Sequence, residues 1–560
     1  MQNNIEQATK QLIDALKQTC GSYGLGNDGN EYKIIIQMFL YKYFNDKFGF
    51  EAKRVQSPEG KRLAEAEKWD AEYDKFTDDE VQDLFDMLPP TTPRMKPYHT
   101  VAHLYNAQQE SDFSSMLDST MIDIAKENAE IFSMATVNKT KLTIFEEITV
   151  FIPDSTQRDD FARSLMRYIA DPDTNFEPIF SERYDFFSTM FEYLIKDYNK
   201  DGGGKYAEYY TPRSIALIMA QLLVGDEEDL RHIECYDPSA GSGTLLMALA
   251  HTVGEERCTI YSQDISQKSS KMLRLNLILN NLVASIQNIL QGDTLLKPGH
   301  TNADGSNKQF DFIVSNPPFK LDFPTTRDTI ASDSKRFWAG VPSVPPKIDP
   351  DKPKMKIFTC FIQHMINSLR NETGKRKGRG AIVVPTGFIT AKGGIEKKIL
   401  EKVVKERIIY GVVSMPSNVF ATTGTNVSVL FFDMAKTHDK VVLIDASHLG
   451  ETLKDGNTQR TFLRPEEIEK IVNTFKASEP VEDFCVTPTY DEIKEKGYSL
   501  SAGQYFDIKI DYVDISEEEF NRRMTDYKAT LTAQFAESHR LENEIMKQLK
   551  SLRFNADKEI

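Results

Sequence analysis

No stretch of this 560-residue chain comes near the roughly 18 to 20 consecutive apolar residues that a membrane-spanning helix needs. The opening Met1-Gln2-Asn3-Asn4-Ile5-Glu6 has neither the basic nor the apolar region of a secretory signal. A globular chain held in the cytoplasm and off the membrane is the expectation. Cysteine is scarce: Cys20, Cys235, Cys258, Cys360 and Cys485 stand singly with no C-x-x-C pair, which argues against a zinc site or a disulfide framework and leaves buried thiols. The nine histidines show no ligand spacing, so no metal is expected. His364 falls in an apolar helical stretch and reads as a core residue. Positive charge is short as well, with 68 Lys and Arg against 84 Asp and Glu and a net charge of -16. Such a chain is poorly equipped to hold a polyanion unaided, because phosphate contacts carry most of that affinity.

What is present, 40% hydrophobic and 27% charged, is material for two or three domains. Residues 1–170 read as a helical amino-terminal domain. Ile34, Ile35, Met38, Phe39, Tyr43 and Phe44 recur at helical spacing there, and 78–87 and 114–132 carry similar stripes. After a helical pattern at 186–198, the glycines of Asp201-Gly202-Gly203-Gly204-Lys205 favour a loop. From there short runs rich in branched residues, at 233–236, 259–262, 311–315, 381–384, 408–413 and 427–432, alternate with helical stretches. That alternation predicts an α/β fold, a mostly parallel, Rossmann-like sheet with helices on its faces, over 171–480. Ligands in such sheets sit beyond the carboxyl ends of the strands. Residues 320–356, dense in proline and lysine and without a period, are too long for a routine connection and form a candidate functional loop. The region 481–560 ends in one long helix from Ser516. Ser516 and Glu519 form a capping box, and Phe520, Met524, Tyr527, Leu531 and Phe535, then Leu541, Ile545, Leu549 and Leu552, trace an apolar stripe among charges.

Three features carry chemistry. Asp237-Pro238-Ser239-Ala240-Gly241-Ser242-Gly243-Thr244 follows the strand at 233–236 and precedes a helix, and its glycines let backbone approach a ligand closely. A dinucleotide fingerprint would need a further Gly or Ala where Leu246 stands, which disfavours a pyrophosphate cradle. Asp264 and Asp293 close the next two strands, where a carboxylate accepts hydrogen bonds from ribose hydroxyls or an adenine amino group. In series with the glycine turn they outline a nucleoside pocket. The third feature, Asn316-Pro317-Pro318-Phe319, directly follows the strand at 311–315. Its prolines fix the backbone and remove two N–H donors, so the Asn316 side-chain oxygen and the Pro317 carbonyl can accept both hydrogens of one amino group. That pairing withdraws the nitrogen lone pair from ring conjugation and aims it at an electrophile. Phe319 offers a face for stacking a base, and a base inside a duplex has to be flipped out to reach it. The basic run Lys375-Arg376-Lys377-Gly378-Arg379 is a weaker candidate for touching phosphate.

The glycine turn together with Asn316 to Phe319 resembles the amino-methyltransferase superfamily, in the order where cofactor residues precede the catalytic tetrapeptide. Lys205-Tyr206-Ala207-Glu208-Tyr209-Tyr210-Thr211-Pro212-Arg213 looks like the upstream cofactor motif of type I modification subunits and related adenine methyltransferases. The helical amino-terminal segment, the Gly424-Thr425-Asn426 region and the terminal helix extend the likeness over nearly the whole chain. One departure is Ser239 and Thr244 where many relatives carry Cys or Ala and a further Gly. The resemblance implies transfer of a methyl group from S-adenosylmethionine to adenine N6 in double-stranded DNA. It places the cofactor on Glu208, Tyr209, Tyr210, Thr211, Pro212, Arg213, Asp237, Gly241, Ser242, Gly243, Thr244, Asp264 and Asp293, with Glu208 to Arg213 at the methionine moiety. Asn316, Pro317, Pro318 and Phe319 are the implied catalytic residues. It also implies a separate specificity subunit, a second copy of this chain and a restriction subunit; the apolar stripe from Phe520 to Leu552 in 481–560 is a surface that a lone helix cannot bury, so it packs either on the chain's own core or on a partner subunit. The nearest enzymatic alternative methylates a protein glutamine, whose carboxamide nitrogen poses the same problem. Those relatives usually end the tetrapeptide in Tyr and are much shorter. A catalytically dead scaffold is the third alternative, against which every implied catalytic position is filled.

Overall fold

The helical period of the amino-terminal segment resolves into helices whose faces follow their composition. Gln2–Ser22 and Asp78–Met87 bury one face, while Glu31–Ala52 is buried on nearly all sides, as an apolar helix at the centre of a bundle must be. Thr77 and Glu80 cap Asp78–Met87 reciprocally, Thr77 N donating to the Glu80 carboxylate at 2.8 Å and Glu80 N to Thr77 Oγ1 at 3.3 Å. The computed structural model describes residues 2–26, 30–136, 141–180, 190, 193, 211–349, 352–420, 426–455, 458–506 and 515–551. It divides the chain into two units, Met1–Phe506 and Asp507–Ile560.

The strands described are β1 (Met134–Thr136), β2 (Lys141–Leu142), β3 (Ile233–Asp237), β4 (Cys258–Asp264), β5 (Ile289–Gln291), β6 (Phe312–Ser315), β7 (Arg379–Pro385), β8 (Ile409–Ser414), β9 (Val427–Asp433), β10 (Val442–Asp445), β11 (Glu451–Asp455), β12 (Thr458–Phe462) and β13 (Cys485–Val486). Apart from the hairpin β11–β12 they form one sheet in the order β13-β10-β8-β9-β7-β6-β3-β4-β5-β1-β2. The strands β5, β4, β3, β6 and β7 run parallel, and β9 inserts antiparallel between β7 and β8. The order reverses at β3, whose neighbours β4 and β6 lead away in opposite directions. This switch point opens a crevice at the carboxyl ends of β3, β4 and β6.

Both faces of the sheet are covered, so the strands read as continuous apolar runs. Alternation still sorts the side chains: Val383, Val429 and Phe431 enter one core, and Ile382, Leu430 and Phe432 the other. The first core continues without a break into the amino-terminal helices. Tyr43 Oη donates to the carbonyl of Ile278 at 3.1 Å, and buried Arg274 donates to the carbonyl of Thr143 at 2.8 Å. The amino-terminal segment also supplies β1 and β2, and β1 extends the sheet by pairing in parallel with β5.

The aperiodic loop 320–356 is packed where it is described. Phe323, Ile330, Phe337, Val341 and Met355 enter the second core. Its two ends are tied together, since Asp322 Oδ1 accepts from Lys354 N at 2.9 Å and Met355 N at 2.8 Å. Among the described residues the carboxyl-terminal unit holds the 35-residue helix Glu517–Ser551. Half of its predicted capping box is present: Glu519 N donates to Ser516 Oγ at 3.2 Å, while the Glu519 carboxylate turns to Arg522 and Arg523. Phe520, Met524, Tyr527, Leu531, Phe535, Leu541, Ile545 and Leu549 are all exposed on this helix, by 38% at Met524 to 64% at Phe535. Among the described residues no helix is long and apolar enough to cross a membrane.

Candidate active site

The strand ends deliver three carboxylates to one crevice. Asp237 ends β3 and is 1% exposed, Asp264 ends β4 and is 8% exposed, and half-buried Asp293 follows β5. Asp237 Oδ1 accepts from Ser239 N at 2.8 Å, which folds the chain back into the glycine turn. Gly241 and Gly243 then take φ of 54° and 86°. At Gly243 the left-handed φ favours glycine, and a Cβ there would stand 2.2 Å from Leu273 Cδ1, so that side chain would have to move. Asp264 holds the turn from the other side, its Oδ2 accepting from Gly241 N at 2.9 Å and its Oδ1 from Ser266 N at 2.8 Å. Thr244–Val253 starts directly after the turn, so the positive end of a helix faces the crevice. Asp293 Oδ1 accepts from Leu295 N at 2.9 Å and Leu296 N at 3.0 Å, forming a turn that Thr294 Oγ1 ties to the Pro238 carbonyl at 2.7 Å.

The electrostatics are those of buried carboxyl groups that lack a counter-charge among the described residues. Neither Asp237 nor Asp264 has an ion-pair partner among the described residues. Burial pushes the Asp237 carboxyl up to about 8, aided by the Asp264 charge and opposed by Ser239 N–H, and burial also raises Asp264. Two buried carboxylates with spare lone pairs fit a ligand that carries positive charge and several hydroxyls.

The tetrapeptide closes the same crevice. Asn316 Nδ2 donates to Thr211 Oγ1 at 3.1 Å, and Asn316 Oδ1 has no hydrogen-bond partner among the described residues. Ser315 Oγ and Ser239 Oγ lie 2.7 Å apart, fastening the end of β6 to the glycine turn. Pro317 is buried, and Phe319 meets Phe358 edge to face at 6.5 Å between centroids. A cavity of about 140 Å³ joins Thr211, Asp237, Ser242, Thr244, Asp264, Asp293, Asn316 and Pro318. A larger cavity of about 910 Å³, walled by the helices Arg213–Val224 and Pro465–Ala477 and by β12, takes in Pro212 and Arg213 but none of these carboxylates. Chemistry outranks volume here, and the smaller cavity is the candidate site.

Eight of the sequence-predicted residues line this cavity, Pro212 and Arg213 line the neighbouring one, and Gly241, Gly243, Pro317 and Phe319 line neither. Glu208, Tyr209 and Tyr210, together with Gly424 and Thr425, lie outside the described residues. The sequence reading missed Ile265, 62% exposed at the cavity rim, and Leu295, Leu321, Ile357 and Phe361 in its wall. The available signal was the position of Ile265, an apolar residue just after a strand-end carboxylate. The basic run 375–379 does not reach the site. It precedes β7 at the opposite end of the sheet, and Arg376 and Arg379 both pair with Glu227. His364 is the expected core residue, 1% exposed, with Nε2 at 3.2 Å from Tyr236 Oη.

A mostly parallel sheet with antiparallel β9 inserted between β7 and β8, strand-end carboxylates and an Asn-Pro-Pro-Phe tetrapeptide at the switch point define a Rossmann-like methyltransferase. Residues 182–512 match the family model of N-6 DNA methylases, and the chain belongs to that family. It is similar to the MpnII type I restriction enzyme methylase subunit of Mycoplasma pneumoniae, 25% identical over 93% of this chain and 92% of that protein. The HindI type I methylase subunit of Haemophilus influenzae is 27% identical over 70% of this chain and 85% of its own length. The crystal structure of a type I restriction-modification methyltransferase subunit from Streptococcus thermophilus superposes with a TM-score of 0.71 at 23% identity, over 90% of this chain and 100% of that one.

Proposed function

We propose that this chain is the methylase subunit of a cytoplasmic type I restriction-modification complex, and that it transfers a methyl group from S-adenosylmethionine to adenine N6 in duplex DNA. The observation that carries the reading is the cavity that unites Asp237, Asp264 and Asp293 with Asn316. In this reading Asp264 receives the ribose hydroxyls and Asp293 the adenine edge, with Ile265 against the purine. The turn Gly241 to Thr244, Asp237 and the segment Glu208 to Arg213 take the methionine end. When bound, the cofactor supplies a methyl group already activated on a sulfonium.

The protein's own part is orientation. Thr211 takes up the amide N–H of Asn316, so Asn316 Oδ1 is left to accept one hydrogen of the target amine while the Pro317 carbonyl accepts the other. The prolines hold these acceptors without rearrangement. Phe319 stacks the flipped adenine. Membership in the N-6 DNA methylase family sets aside the protein-glutamine alternative. The charge of -16 leaves most of the grip on DNA to a specificity subunit, with the terminal helix as its contact and with a second copy of this chain and a restriction subunit completing the assembly. We divide the chain functionally into 1–170, 171–480 and 481–560 for bundle, catalysis and partner contact. Nucleoside mass spectrometry of DNA incubated with the chain and cofactor, with and without a specificity subunit, tests the reading. N6-methyladenine that rises with the specificity subunit is expected, and its absence from both reactions rejects the proposal.

A further inference from the structure

The loop 320–356 leaves the tetrapeptide, makes a long excursion and returns to Phe358–Ser368. Midway it buries a cation. Arg336 is 3% exposed, and its guanidinium donates through Nη1 to the carbonyl of Thr294 at 3.2 Å and through Nη2 to the carbonyl of Leu295. These carbonyls belong to the turn after β5 whose first residue is Asp293 and whose side chains line the cavity. Asp333 forms an ion pair with the guanidinium, Oδ2 lying 3.0 Å from Nε without hydrogen-bond geometry, and its Oδ1 accepts from Arg336 N at 3.1 Å. The loop has other anchors that do not touch this turn. Arg327 donates to the carbonyls of Val341 and Pro342, both at 3.2 Å, and so ties the loop only to itself.

We infer that Arg336 is a positioning residue for the nucleoside half of the cofactor site, fixing the Asp293–Thr294–Leu295 turn from below through a loop that begins at the target-base tetrapeptide. The inference rests on the reading of the cavity as an S-adenosylmethionine site. Its physical basis is the planar fork of Arg, which satisfies two buried carbonyls at once, a geometry that the point charge of Lys does not reproduce. Losing the fork leaves two buried acceptors unpaired, and the turn relaxes away from the geometry that presents Asp293.

The test is calorimetric titration of the full chain with S-adenosylmethionine and with 5′-methylthioadenosine, which keeps the nucleoside and lacks the amino acid. Arg336→Met is expected to weaken both ligands by a similar factor, about 10- to 100-fold. Arg336→Lys should fall between it and the wild type, and serves as the test if the Met variant does not fold. Arg327→Ala, which breaks only internal loop anchors, is expected to leave both affinities within about twofold. Unchanged affinities in the Arg336 variants overturn the inference, as does a loss confined to S-adenosylmethionine. An equal loss in Arg327→Ala also overturns it, because the effect would then be general loosening of the loop. If the wild type binds neither ligand, the cofactor reading itself fails, and that result is distinct from failure at Arg336.

Discussion

Asp237→Asn should stabilise the ligand-free protein while damaging the function we propose for it. The carboxyl is 1% exposed and is pushed from an ordinary 3.8 up to about 8 by burial. Because the folded-state value is raised, the native protein holds a proton that the unfolded chain releases between pH 3.8 and about 8. Stability attributable to this group is therefore present at low pH and is lost as pH rises through that window, at up to about 1.4 kcal/mol per pH unit. By pH 7 the ceiling on this loss is about 4 kcal/mol, reduced in practice by relaxation around the charge. Asparagine keeps an oxygen for Ser239 N and carries no charge to desolvate. Chemical denaturation of wild type and variant, ligand-free, at pH 5.5, 7 and 8.5 should show the variant ahead by a margin that grows with pH and levels off above about 8. A margin that is constant or shrinks as pH rises refutes the argument. Titration with S-adenosylmethionine completes it, since the variant has no carboxylate for a cationic ligand and should bind more weakly.

Other perturbations separate the parts of the site. Asn316→Ala should lower methyl transfer by about 100-fold or more while cofactor affinity stays within about twofold, because the lost acceptor acts on the target amine; near-normal turnover would remove the tetrapeptide from catalysis. Asp264→Ala should weaken S-adenosylmethionine by roughly 10- to 100-fold through lost charge-assisted hydrogen bonds, and an unchanged calorimetric dissociation constant counts against its place in the pocket. Gly243→Ala meets both a φ of 86° and the Leu273 side chain, so a fall in melting temperature is expected, and an unaltered melt would contradict the tight turn. Truncation before Ser516 should leave a folded chain that binds cofactor but no longer co-purifies with the specificity subunit; retained complex formation assigns the apolar stripe elsewhere.

Local pattern carried the reading wherever chemistry and fold are both local. The runs at 233–236, 259–262 and 311–315 became β3, β4 and β6 with ends shifted by a residue or two, and the strand-end carboxylates fell where that sheet put them. The antiparallel sense of β9 was not legible, because a strand buried on both faces looks alike in either direction. The three residues of β1 are too few to show a period, and their strand character comes from pairing with β5, more than 150 residues away. The loop 320–356 has no period for the same reason: what orders it is Asp322, Arg336 and a few buried apolar residues, each answering to a distant partner. The pairing of Arg376 and Arg379 within the basic run 375–379 was not legible, because their partner Glu227 is remote in sequence.

The pairing of β1 with β5 has a consequence for synthesis on the ribosome. The strand leaves the tunnel well before β5 exists, and at about 5 to 20 residues per second its partner follows roughly 8 to 30 s later. During that interval the early helices can collapse on one another, but the surface that later meets Gln267–Leu279 stays open and β1, paired with β2 on one side, lacks its partner on the other. A nascent chain arrested near residue 260 should therefore recruit chaperones and be cut readily by protease, and one arrested some 40 residues past Gln291, with β5 clear of the tunnel, should be protected in its first half. The architecture makes the amino-terminal half of this protein dependent on a strand that is translated after it.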